Sequence, residues 1–216
     1  MFHVLSRRLN HSFDRFIMLK YIASPVIAYA LYSNTNKEFT AAVSSPSKVQ
    51  SQEKNAVCIL YPDNNSGVNG IVALHQENYS SECKIIANVR GLNPNSLHGF
   101  HVHEYGDLTQ GCTTAGEHFN PRKVDHAGPK DNVRHVGDLG NIPTDEKGNG
   151  YLAISDKLIS LFGEESVIGR AMVVHAHEDD LGRGGNNESL KTGNAGARLA
   201  CGVIGHASNF KNLSHS

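Results

Sequence analysis

The stretch Gly99-Phe100-His101-Val102-His103 shows most clearly how this chain folds. Apolar residues alternate with histidines in it, and successive side chains of a β-strand point to opposite faces of the sheet. The alternation predicts a strand that packs Phe100 and Val102 into a core and turns both imidazoles outward together. Two histidines on a solvated strand face would give the same pattern, so this pair alone does not establish a metal site.

Strand patterns recur on both sides of that stretch. Further strands are predicted at residues 57–61, 85–89, 151–154, 168–174 and 199–204, with a turn at 145–150. Glycine is abundant, tryptophan is absent, and no long stretch has a helical repeat. The chain is therefore predicted to contain a turn-rich, all-β domain.

The termini differ in character from this domain. Basic residues precede an apolar run at residues 21–32 that is too short for a comfortable membrane span, which predicts a secretory signal peptide at residues 1–33. A mitochondrial presequence is the rival interpretation. Polar composition predicts a linker at 34–54 and a C-terminal tail at 208–216, around a folded domain at 55–207. The protein is thus expected outside the cell, or inside it if this segment is no signal peptide.

Charge and cysteine content narrow the function. A net charge of −1 predicts binding to neither nucleic acid nor a membrane. The four cysteines, Cys58, Cys83, Cys112 and Cys201, form no CxxC pair, so a cysteine zinc site is not expected. One or two disulfides are possible, and the spacing does not reveal the pairing.

Two long segments, 104–134 and 176–197, have no periodicity and need something to hold them. Candidate metal ligands lie along or beside them: His118, His126, His135, Asp138 and His175. Imidazole with carboxylate suits zinc, and imidazole alone suits copper. Metal binding would order these segments, although each histidine by itself is equally compatible with a solvated loop.

Several motifs, in this order, resemble those of the copper/zinc superoxide dismutase family. They are GFHVHEYGD at 99–107, GCT at 111–113, HFNP at 118–121, RHVGDLG at 134–140 and GNAGARLACG at 193–202. The resemblance extends from about residue 55 to about residue 207. It implies an eight-stranded Greek-key β-barrel, or flattened sandwich, with two long functional loops and a metal site on its outside.

The resemblance also implies one copper ion and one zinc ion per subunit. The implied copper ligands are His101, His103, His118 and His175. The implied zinc ligands are His118, His126, His135 and Asp138. His118 would therefore bridge the two ions, and Asp179 would link His101 to His126.

The reaction implied is the disproportionation of superoxide to O₂ and H₂O₂, an antioxidant defence in which copper is alternately reduced and reoxidised. His118 would supply a proton, Arg198 would hold the anion beside copper, and Lys191 together with Arg198 would steer it. The resemblance pairs Cys112 with Cys201. Cys58 and Cys83 are expected to be buried free thiols rather than a second bridge, because such cysteines commonly behave as small hydrophobes. It further implies a homodimer whose apolar contact includes Ile168, Gly169 and Val203.

Some positions depart from the family pattern. Tyr105 replaces a common phenylalanine, His177 stands where lysine is frequent, and His206 stands where an apolar residue often lies in the dimer contact. Asn187 replaces a common acidic residue and creates a glycosylation sequon, where a glycan would lie beside the substrate channel. The remaining sequons are at Asn64, Asn78 and Asn212.

Two other functions are compatible with a domain of this type. One is a copper-delivery protein, which would carry an added CxxC domain and a late CxC motif, and the sequence contains neither. The other is a non-catalytic extracellular domain that binds copper and zinc.

Overall fold

The computed structural model describes residues 53–209. These residues form ten strands: β1 (Lys54–Pro62), β2 (Asn69–Gln76), β3 (Cys83–Arg90), β4 (Leu97–His103), β5 (Thr109–Cys112), β6 (Asp138–Pro143), β7 (Gly150–Asp156), β8 (Ala171–His175), β9 (Arg198–Val203) and β10 (Gly205–Ala207). The predicted signal peptide, most of the predicted linker, the last seven residues and the sequon at Asn212 lie outside the described residues.

Eight of the strands form one antiparallel sheet in the order β6-β4-β8-β9-β1-β2-β3-β7. The outermost strands, β6 and β7, meet at a bridge between Thr144 and Gly150, which nearly closes the barrel. The connections β3–β4 and β7–β8 join strands that are not neighbours, as in a Greek key. The predicted eight-stranded barrel is therefore confirmed, with β10 added beside β1 and β5 within the first long loop.

Strand β4 divides the core from the site. Phe100 and Val102 are fully buried in the main apolar core. His101 and His103 share the opposite face, as the alternation predicts, yet they are only 0% and 1% exposed. The reason is that both long loops cover this face, since His101 bonds to Asp179 and His103 to Gly116.

The predicted strand at 168–174 begins later than its apolar run. In the structure β8 starts at Ala171. Gly169 has a φ of 85°, and the Arg170 N–H donates to the Val167 carbonyl at 3.1 Å, so a turn takes the first residues of the run. The turn predicted at 145–150 is present, because Asp145 Oδ1 accepts the N–H groups of Lys147 and Asn149 at 2.8 Å each.

A disulfide ties the first long loop to the barrel. Cys112, at the end of β5, is bonded to Cys201 in β9, 89 residues away, with a Cα–Cα distance of 5.7 Å. This is the expected pairing. Cys58 and Cys83 are free and buried, as expected.

Loop 176–197 contains one short helix, α1 (Ser189–Thr192). Between residues 53 and 209, no helix has the length and apolar character needed to cross a bilayer.

Candidate metal centre

Three histidines in or just after the first long loop converge on one carboxylate oxygen. Asp138, the first residue of β6, places Oδ1 at 3.0 Å from His118 Nδ1, 2.9 Å from His126 Nδ1 and 3.2 Å from His135 Nδ1. Its Oδ2 accepts the backbone N–H groups of His135 at 2.9 Å and Ala127 at 3.3 Å, which orients the carboxylate. All four converging side chains are buried.

This group fits a bound cation better than it fits a set of hydrogen bonds. Within residues 53–209, the Nδ1 atoms of His126 and His135 are buried and have no hydrogen-bond partner, although each lies close to Asp138 Oδ1. Ligand atoms about 2.0–2.1 Å from a tetrahedral zinc ion lie about 3.3 Å from one another, close to the observed spacings. Three imidazoles and one carboxylate are also ligands that zinc accepts.

A second group of buried histidines lies beside the first: His101, His103, His118 and His175. The Nδ1–H of His103 donates to the Gly116 carbonyl at 2.9 Å, and that of His175 donates to the Gly196 carbonyl at 3.1 Å. These bonds leave each Nε2 as a lone pair, yet the two Nε2 atoms are 3.3 Å apart. Because two acceptors do not hydrogen-bond to each other, a cation is the partner that fits between them.

His118 belongs to both groups. Its Nδ1 faces Asp138, and its Nε2 is buried and unpartnered within the described part of the chain. Its ring centroid lies 3.9 Å from that of His101, whose Nδ1 is likewise unpartnered among the described residues. One imidazole thus faces a candidate ion on each side, which requires both of its ring nitrogens to be free of protons.

Asp179, in the second long loop, joins the two groups from behind. Its Oδ2 lies 2.8 Å from His101 Nε2, and its Oδ1 lies 2.8 Å from His126 Nε2. Gly193 permits this approach, because a side chain there would collide with Asp179 and His126. The carboxylate fixes the ring planes of both histidines and keeps their Nδ1 atoms directed at the candidate ions.

Comparison with known proteins agrees with this geometry. The family model for copper/zinc superoxide dismutase (SODC) matches residues 68–204. The chain belongs to the copper/zinc superoxide dismutase family. A Cu-Zn superoxide dismutase of Kluyveromyces lactis is 56% identical over 151 residues, which cover 70% of this chain and 96% of that protein. One of Humicola lutea is 55% identical over 152 residues, covering 70% and 98%.

Copper and zinc are accordingly the cofactors of this dismutase, and the disproportionation of superoxide is its reaction. A third relative supports the same conclusion, a Cu-Zn superoxide dismutase of Cryptococcus neoformans var. grubii. It is 56% identical over 140 residues, which cover 65% of this chain and 91% of that protein. The two side-chain groups can each hold a metal ion, because their ligand atoms lie within 4.8 Å of one another.

Burial keeps most imidazoles of the dismutase site neutral. It lowers the pKa of His175 to about 3 and holds the pKa of His103 well below its usual range, and neighbouring histidines add to the effect. Neutral imidazole is the form that binds metal ions. Burial also opposes charge on His126, but the nearby carboxylates of Asp138 and Asp179 outweigh it and raise the pKa of His126 to about 9. Without a metal ion, a protonated His126 therefore offsets part of the charge of the two carboxylates.

The guanidinium of Arg198, the first residue of β9, is anchored by two loop carbonyls. One nitrogen donates to the Cys112 carbonyl at 2.5 Å, and the other donates to the Gly116 carbonyl at 2.6 Å. The Gly116 oxygen also accepts the Nδ1–H of His103, so one carbonyl orients both side chains. Burial lowers the pKa of Arg198, and Asp63 and Glu117 oppose that effect. A half-buried, charged fork of this kind suits a small oxyanion.

The second long loop holds Lys191 at the surface. Asp180 accepts hydrogen bonds from Ser189 Oγ at 2.7 Å and Asn194 Nδ2 at 2.5 Å, which fix the ends of α1. Lys191 is exposed and lies 3.9 Å from Glu188. Asn187 is also exposed, immediately before the residue that caps α1.

Some residues that shape the site were missed by sequence reasoning. Asn120 Nδ2 donates to the Val124 carbonyl at 2.8 Å, and that carbonyl accepts the Nε2–H of His135 at 3.0 Å. Gly116 acts through its carbonyl, and Asn141 holds Asp179. Asn120 stands inside the HFNP motif, the only signal that pointed to it. The other two had none, because a backbone carbonyl or a single amide leaves no periodic pattern.

Proposed function

We propose that this dismutase binds copper and zinc through two side-chain groups that share His118. Copper is held by His101, His103, His118 and His175. Zinc is held by His118, His126, His135 and Asp138. The observation that carries this assignment is the position of the His118 ring, whose Nε2 faces one group while its Nδ1 faces the other.

Bound copper supplies one-electron oxidation of one superoxide and one-electron reduction of a second. The chain provides the rest of the chemistry. Arg198 binds the anion through the part of its guanidinium that the Cys112 and Gly116 carbonyls leave free. Nε2 of His118 can carry one proton and donate it to the superoxide as it is reduced, and a second proton from solvent completes H₂O₂. The hydrogen bonds of His103 and His175 to backbone carbonyls hold their rings in place throughout.

The ligand set is tested by removing one copper-side residue. In a His175→Ala variant, copper loses one of its four ligands, so turnover should fall to background while zinc remains bound. His206→Ala, which removes an exposed histidine in β10, is the matched control and should retain wild-type activity. Metal content by elemental analysis and superoxide consumption are measured on purified proteins. Near-normal activity with full copper in His175→Ala would contradict the assignment, and an inactive copper-loaded wild type would favour a binding protein.

We further infer that the protein is exported and loses residues 1–33. The support is the basic segment followed by an apolar run, together with the disulfide, which persists in oxidising compartments. N-terminal sequencing of protein recovered from culture medium should find a start near residue 34. Recovery of the chain from mitochondria with a processed N-terminus would instead favour the presequence interpretation.

Export would make the sequons available. Asn64, Asn78 and Asn187 are exposed, whereas Asn212 lies outside the described residues. A glycan at Asn187 would slow superoxide access by its bulk without touching the metal ligands. The rate constant for superoxide should rise after enzymatic deglycosylation and in an Asn187→Gln variant. A bare Asn187 in mass spectrometry, or an unchanged rate after removal of its glycan, would defeat this idea.

We also propose a homodimer around Ile168, Gly169 and Val203. Its support is an exposed apolar surface, on which Val203 and the adjacent strand residue Ile59 are each 42% exposed. Val203→Glu should shift the sedimentation coefficient to that of a monomer, because a carboxylate would be buried in the contact. Val133→Glu, at an exposed apolar residue of the first long loop, is the control. Equal dimerisation of Val203→Glu and wild type would exclude this contact.

A further inference from the structure

Asn141 holds one residue of the second long loop, Asp179, against the barrel. Its Oδ1 accepts the backbone N–H of Asp179 at 2.7 Å, and its Nδ2 donates to the backbone carbonyl of Asp179 at 2.9 Å. Both polar backbone groups of Asp179 are therefore paired with one planar amide. Two such bonds restrict the position and the rotation of that residue, whereas one would restrict only its distance.

The anchor itself is rigid. Asn141 lies in β6 and is paired with Gly99 of β4, two residues before His101. The N–H of Gly99 donates to the His177 carbonyl at 2.9 Å, so the same point of the sheet also holds the loop two residues before Asp179. Because Gly99 has no side chain, the loop can approach closely; an added Cβ would lie 2.7 Å from that of Ala195.

Asp179 has little freedom once its backbone is fixed. Its side chain is fully buried, and its two oxygens are engaged by His101 Nε2 and His126 Nε2 at 2.8 Å each. An aspartate has only two side-chain torsions, so a shift of its backbone moves the carboxylate by a similar amount. A displaced carboxylate would release both imidazoles from the orientations that direct Nδ1 at the metal positions.

We propose that Asn141 is a positioning residue that sets metal affinity through the orientation of Asp179. The inference rests on the proposed ligand set, because the two histidines that Asp179 holds are a proposed zinc ligand, His126, and a proposed copper ligand, His101. The side-chain hydrogen bonds of Asn141 within the described residues go to the Asp179 backbone rather than to a proposed ligand. Its effect is transmitted by the Asp179 backbone, which is 38 residues away in sequence.

The first test is zinc retention in the purified holoenzyme under chelator competition. Asn141→Ala should weaken zinc binding by up to about 10–100-fold, the loss expected when a hydrogen-bond partner of metal ligands, here Asp179, is displaced. Asn141→Asp, which keeps the size and the acceptor but loses the donor, should also weaken it. Asn149→Ala, which removes a hydrogen-bonded asparagine from the β6–β7 turn, is the matched control and should retain wild-type affinity.

A double-mutant cycle separates positioning from general destabilisation. If Asn141 acts only through the Asp179 carboxylate, Asn141→Ala should cause little further zinc loss in an Asp179→Asn background. In reduced, diamagnetic holoenzyme, Asn141→Ala should also speed solvent exchange of the His101 and His126 Nε2–H protons. The Nδ1–H protons of His103 and His175 bond to backbone carbonyls and should exchange as in wild type.

Additive zinc losses in the cycle, or equal acceleration of all four imidazole protons, would overturn the inference. So would tight zinc binding by wild type that Asn141→Ala leaves unchanged, and this outcome would leave the ligand set intact. Failure of wild type itself to bind zinc would instead overturn the ligand set, and the inference with it.

Discussion

At the scale of single residues, the position of the Arg198 guanidinium depends on two backbone carbonyls of a loop that is distant in sequence. Its anchors are Cys112, in the disulfide, and Gly116, which also holds His103. The side chain is therefore preorganised, and its charge is positioned before an anion arrives.

Removal of that charge should slow the reaction without emptying the site. Arg198→Gln is expected to lower kcat/KM for superoxide by about 10-fold or more, since local positive charge raises anion association by factors of about 10–1,000. The kcat/KM of Arg198→Lys should lie between those of wild type and Arg198→Gln, because lysine keeps the charge but lacks the planar fork. Turnover and metal content are measured together. If copper is lost in proportion to activity, Arg198 maintains the metal site rather than binding the substrate.

Sequence reasoning at this scale found the residues whose chemistry is distinctive. Most of the ligand histidines, Asp138 and Arg198 stand in the motifs quoted above, and the structure brings them together. Asn141 and Gly116 escaped because their roles arise from backbone contacts across the fold. A single amide or carbonyl carries no mark of such a contact until the chain is folded.

At the scale of elements, the disulfide joins β5, in the first long loop, to β9. It therefore stabilises the loop that supplies the Arg198 anchors. In the chain-entropy model, closing a loop of this length contributes about 3–5 kcal/mol.

Thiol labelling should distinguish the two kinds of cysteine. Burial raises the pKa of Cys58 and of Cys83 to about 12, so at pH 8 each is almost entirely the unreactive thiol. Folded protein should take up essentially no alkylating reagent at that pH. Unfolding without reductant should expose two reactive thiols, and unfolding with reductant should expose four. Labelling of Cys112 without reductant, seen by peptide mapping, would contradict the pairing.

The strands were predicted from the sequence where their pattern was regular. The runs in β3 and β4 alternate clearly, and both strands are present. Strands β5 and β10 and helix α1 have four residues or fewer, too few to give a period. The strand predicted at 168–174 is longer than the observed one, because a sharp turn at Gly169 interrupts the apolar run.

At the scale of the whole molecule, the two long loops close over one side of the barrel and bury the ligand side chains there. Without metal ions, several buried ring nitrogens among the described residues lack partners, which is unfavourable. Metal binding should therefore stabilise the folded protein in addition to enabling its reaction.

This coupling predicts a large effect of zinc on thermal unfolding. Zinc added to metal-free protein should raise Tm progressively, because a ligand that binds the native state adds about 2.7 kcal/mol at 100 times its Kd. His126→Ala removes a proposed zinc ligand and should abolish most of that rise, whereas His206→Ala should leave it intact. A similar zinc-dependent rise in all three proteins, measured by calorimetry, would place the zinc elsewhere.

The proposed ligand set places the His118 ring between two different metal ions. Anomalous diffraction from crystals of the metal-loaded protein, recorded at the copper and zinc absorption edges, tests it directly. If His118 bridges the two ions, one copper peak is expected about 2 Å from His118 Nε2 and one zinc peak about 2 Å from His118 Nδ1. A single peak beside His118, or two peaks that do not share its ring, would rule out the bridging role of His118.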